Sequence, residues 1–70
     1  MPLMYGETGI PHTIVHIGGS ATVRQHLESM GFTAGTPITV VNTLAGNVIV
    51  QIKESRVALG RDLANKIFIK

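Results

Sequence analysis

Three histidines, His12, His16 and His26, and four carboxylates, Glu7, Glu28, Glu54 and Asp62, are the side chains of this 70-residue chain that could ligate a metal or move a proton. No cysteine is present to supply a thiolate. Imidazole is a common metal ligand, but it needs partners in the same coordination shell. Along one strand His12 and His16 share a face, yet they lie about 13 Å apart, too far to chelate one ion. His26 falls three residues after Val23, at the margin of an apolar helical stripe, where an amphipathic ring commonly packs with one nitrogen wet. The expectation is no metal site and no cofactor. Catalysis requires a nucleophile, a base and a group that orients the base, and no serine is patterned beside the histidines, so no catalytic residue is assigned. Gly18-Gly19-Ser20 ahead of a helix could hold an anion on free backbone N–H groups. No P-loop lysine follows, and a strand-to-helix turn with its cap accounts for the same three residues.

The elements that position these groups follow from apolar spacing and turn chemistry. Thr13 to Ile17 is β-branched and bounded by Pro11 and Gly18-Gly19, which predicts a first strand. Ile10 and Ile14 favour one parity for its buried face, Val15 and Ile17 the other; a β-bulge would reconcile them. Ser20 or Thr22 can cap the helix that follows, and Thr22 with Gln25 matches a capping box. Val23, Leu27 and Met30 form its core stripe. Gly31 stands where a helix C-terminus calls for positive φ, with Phe32 placed to fold back onto the last turn. Gly35 then turns the chain, and Pro37 suits the first residue of a strand. Strands are expected at about 38–42, 48–52 and 57–59, joined by hairpin turns at Leu44-Ala45-Gly46-Asn47 and Lys53-Glu54-Ser55-Arg56. Residues 61–66 make a short helical turn and Ile67-Phe68-Ile69 a last strand. The predicted fold is mainly β: a small SH3-like five-stranded barrel, with one helix between strands 1 and 2 and a helical turn before strand 5. Residues 1–9 carry two glycines, a proline and no apolar periodicity, which predicts a mobile or loosely docked arm ahead of a single domain at 10–70.

Composition narrows the partners. The formal charge is +2 and the six cations are scattered, at Arg24, Lys53, Arg56, Arg61, Lys66 and Lys70. Nucleic-acid binders cluster such charges on one face, and with no Trp and few aromatics there is little to stack on a base; no nucleic-acid partner is expected. Nothing approaches a run of roughly 18 apolar residues, and no basic leader precedes an apolar core, which predicts a soluble, unexported chain with no direct membrane insertion. With 44% hydrophobic and 14% charged residues on so short a chain, some apolar surface is left for a partner protein or, weakly, a second copy.

The order of elements and the glycine spacing resemble the bacterial ferrous iron transport protein A family, FeoA, over residues 10 to 70. The residues that carry the resemblance are Ile14 to Ile17 with Gly18-Gly19, Arg24 to Leu27, Met30-Gly31-Phe32-Thr33-Ala34-Gly35-Thr36-Pro37-Ile38, Val57-Ala58-Leu59, Asp62-Leu63-Ala64 and Ile67. The resemblance implies a small cytoplasmic SH3-like domain, not an enzyme, that assists the membrane ferrous iron permease FeoB, itself carrying a GTP-binding domain. It brings no catalytic residue with it. This chain departs from the family at the hairpin between strands 2 and 3, which lacks proline, and in its N-terminal arm. Docking on the permease is expected to use exposed apolar residues near the loops, Leu44, Val48 and Ile49. Two further readings belong to other classes: a small-barrel RNA- or ribosome-associated protein, and a metal-handling protein using surface histidines.

Overall fold

The computed structural model describes residues 1–70. A 3-10 turn at Leu3–Tyr5 leads into β1 (Pro11–Ile17), α1 (Ala21–Ser29), β2 (Pro37–Leu44), β3 (Asn47–Ile52), β4 (Ser55–Gly60), α2 (Arg61–Ala64) and β5 (Ile67–Ile69). The strands pair antiparallel throughout in one sheet of order β4-β3-β2-β1-β5, with the helix after the first strand and the helical turn before the last, as the spacing predicts. One apolar cluster lies beneath the sheet, and no polar or charged residue is buried in it.

The conflicting parities of β1 are resolved by a bulge. Its pairing with β5 shifts register between Ile14 and His16, so Ile14 and Ile17 both face the core while Val15 and His16 are exposed. One extra residue on the bulged strand lets apolar positions three apart point the same way. A second shift lies between Val40 and Asn42 in β2, just past that strand's last core residue, Val40, and the strand then runs on to the exposed Leu44.

Helix α1 is capped by Ser20, whose hydroxyl accepts from the Val23 N–H at 3.2 Å. Thr22 lies inside the first turn, so the Thr22–Gln25 capping box is not used: one N-cap suffices, and the chain is already helical at Ala21. Leu27 is fully buried and Val23 and Met30 pack against the cluster. At the other end Gly31 has φ 98°. Phe32 N–H donates to Leu27 C=O at 3.1 Å and Gly31 N–H to Glu28 C=O at 3.0 Å, the two bonds of a Schellman motif. Phe32, turned back by this geometry, is fully buried.

The expectation of a loosely docked arm at residues 1–9 is corrected. Leu3 is a fully buried member of the core, Gly9 N–H donates to Val40 C=O at 2.8 Å, and Ile69 N–H donates to Met1 C=O at 2.7 Å. Pro2 bridges Phe68, and Thr8 bridges Val40. A single apolar anchor carries no periodicity, which is why the pattern around Leu3 reads as unstructured although the side chain fills a place in the core.

Candidate functional site

Alternation along β3 decides which of the expected contact residues are available to a partner. Val48, Val50 and Ile52 are buried and Ile49 and Gln51 are half-buried on the outer face. Leu44, at the end of β2, is 62% exposed. It stands beside a two-residue turn in which Ala45 and Gly46 have φ 52° and 83°, and pairs with Asn47 while Ile49 pairs with Asn42. Leu44 and Ile49 therefore share the outward parity on neighbouring strands, at diagonal positions, and the exposed Ala58 of β4 lies directly opposite Ile49. The inclusion of Val48 in the contact set is corrected. At 2% exposure it belongs to the core, because its parity is that of Val50 and Ile52.

The histidines do not come together. Across the β1–β2 ladder His12 pairs with the buried Ile38, which places it on the inward face, and its Nε2 is enclosed without a hydrogen-bond partner. His16 lies beyond the bulge, exposed, with its ring 5.7 Å from that of Phe68. The bulge thus overturns the expectation that His12 and His16 share a face. His26 is exposed on α1. No group of three or more His, Cys, Asp or Glu side chains could hold an ion jointly.

Gly18-Gly19-Ser20 is a structural turn. Gly18 N–H is bonded to Lys66 C=O at 2.7 Å, and Ser20 caps α1. Gly19, at φ 89°, leaves room for Val23, whose Cγ1 would lie 3.3 Å from any Cβ at that position.

Two outer-face features are not evident from the sequence. One is a shallow recess lined by Pro11, Pro37, Thr39, Gln51 and Lys53. The other is the network beside it, in which Gln51 accepts from Arg56 Nε at 3.0 Å and donates to Lys53 C=O at 3.1 Å. Residues from four strands meet there only through the registers that set Pro11 against Thr39, Thr39 against Gln51 and Gln51 against Arg56. The alternation of β3 was the one available signal that Gln51 faces outward.

The family model of the FeoA domain matches residues 1–70. A Methanocaldococcus jannaschii protein named "Putative Fe(2+) transport protein A" is 33% identical over 69 residues, covering 99% of this chain and 84% of that one. A crystal structure described as an iron uptake regulatory protein (FeoA) superposes with a TM-score of 0.88 at 33% identity, over 99% of this chain and 92% of that one. A zinc-complexed FeoA from Stenotrophomonas maltophilia, described as a prokaryotic SH3 domain protein, superposes with a TM-score of 0.86 at 17% identity, over 100% and 89%. At that identity the likeness establishes the fold, which is SH3-like.

Proposed function

Because the chain belongs to the FeoA family, we propose that it serves ferrous iron transport as a non-enzymatic cytoplasmic accessory protein, docking through protein–protein contacts on the cytoplasmic part of a FeoB-type permease. The observation that supports this reading is the outer-face apolar strip of Leu44, Ile49 and Ala58, which runs from the β2–β3 hairpin tip across β3 onto β4. Such a strip gives a partner a small desolvated contact whose strength depends on shape and apolar area rather than on long-range attraction. No helix is long and apolar enough to cross a membrane.

Titration with the soluble portion of the permease tests the proposal. Association should persist as salt rises, and Leu44→Asp with Ile49→Asp should weaken it while the circular dichroism spectrum and melting stay those of a folded barrel. Undiminished binding by the folded double variant would reject this surface. Capture of RNA with a steep salt slope in place of the permease would reject the function.

A further inference from the structure

On the outer face of β2, β3 and β4, charge is confined to one end. Ile49–Ala58 and Gln51–Arg56 are consecutive outward rungs of the β3–β4 ladder, about 7 Å apart, so the apolar strip adjoins a cation directly. Arg56 Nε donates to Gln51 Oε1 at 3.0 Å, and Gln51 Nε2 donates to Lys53 C=O at 3.1 Å. This network holds the Arg56 guanidinium by one N–H and leaves both Nη groups without a partner in the chain, a fork suited to a carboxylate. It also ties down the backbone of Lys53, which keeps a left-handed φ of 54° although it carries a β-carbon. Lys53 lines the recess with Pro11, Pro37, Thr39 and Gln51, an open space of about 290 Å³. The prolines wall it without offering an N–H. None of the five strands contains an Asp or Glu. Glu54, at the tip of the β3–β4 turn, makes no side-chain hydrogen bond.

We infer that the recess and the Arg56 fork beside it form a socket for a carboxylate side chain, carried by the same partner polypeptide whose apolar residues cover Leu44, Ile49 and Ala58. The socket rests on the docking reading above and adds to it the chemistry of the segment that docks. Charge complementarity selects the occupant: two cations are positioned by one side-chain network, and no carboxylate of the chain is bonded to either. A free phosphate would meet the Arg56 fork and leave the strip on the next rung uncovered, whereas a polypeptide presents an apolar anchor and an anion together. The spacing of the rungs, about 7 Å, asks for an Asp or Glu two residues from that anchor in an extended segment, or three to four residues from it on a helix. One close pair at the rim of an apolar contact fixes register and partner choice more than it adds long-range attraction, so the complex still persists in added salt.

Titrating the full chain with the permease's soluble portion, with Arg56 Nε–H and the Gln51 side-chain amide followed by NMR, tests the socket. Both signals should move together with those of Leu44 and Ile49. Arg56→Gln should raise the dissociation constant about tenfold, and Arg56→Lys, which keeps the charge and loses the fork, should recover only part of that. Among Asp→Asn and Glu→Gln changes in the permease portion, one should cost as much as Arg56→Gln and add nothing to it, as a direct pair requires. Parent-strength binding by a folded chain carrying Arg56→Gln and Lys53→Gln, when Leu44→Asp with Ile49→Asp is weakened, would overturn the socket and leave the docking reading standing. Saturation of the Arg56 signal by inorganic phosphate, undisplaced by the permease portion, would overturn it in favour of a small-anion site. No binding by the parent chain would end the docking reading, and the socket with it.

Discussion

At the scale of single residues, backbone angle rather than packing sets the cost of change. Ala45 sits at φ 52° and Gly46 at φ 83° in the β2–β3 turn, a pair for which Asn-Gly is the preferred chemistry. An L-residue without a local side-chain bond is strained there by roughly 1 to 2 kcal/mol. Ala45→Asn should accordingly stabilise the protein by about 0.5 to 1 kcal/mol, read as a higher denaturation midpoint at unchanged slope. At Gly31 a Cβ would meet nothing closer than Ile52 Cδ1 at 4.0 Å, but φ is 98°. Gly31→Val should therefore cost about 2 kcal/mol or more through the backbone alone, and more than Gly46→Ala, where only a methyl is added. Equal losses for the two variants in denaturant melts would show that the Schellman turn relaxes.

At the scale of elements, two short segments hold the core from opposite sides of the sequence. Leu27 on α1 and Leu3 in the N-terminal turn are both fully buried. Leu27→Ala and Leu3→Ala should each remove about 2 to 5 kcal/mol, by lost transfer energy and the cavity left behind. The comparison separates the periodic helix from the aperiodic segment. A loss within about 0.5 kcal/mol for Leu3→Ala, the level of surface changes, would mean that residues 1–9 are not part of the folded unit. The bulges act at this scale too. The bulge in β1 brings Ile14 and Ile17 inward together by exposing Val15 and His16 between them.

For the whole molecule, the narrow stability of a small domain makes inside and outside unequal. A chain of this length has only a few kcal/mol to lose. Val48→Asp places an unpaired charge among Val50, Leu59 and the other core residues and should leave the chain unfolded at room temperature. Leu44→Asp, on a residue 62% exposed, should melt within about 0.5 kcal/mol of the parent. Chemical denaturation of the two variants side by side checks this, and the reverse order would invert the faces of β3.

Legible in the residues alone are the element order, the helix stripe of Val23, Leu27 and Met30, the left-handed glycine at Gly31 and the alternation of β3, because each is a local property of spacing or backbone sterics. The residues also pointed to the FeoA family, whose recognisable positions are the ones fixing those turns. The docking of Leu3, the opposite facing of His12 and His16, the loss of Val48 from the outer surface and the meeting of Pro11, Thr39, Gln51 and Arg56 emerge only once the strands are packed together. Those features depend on strand register and on where a bulge inserts its extra residue. Register is an agreement between distant segments, settled by what each buries against the others, and no window of sequence contains both sides of it.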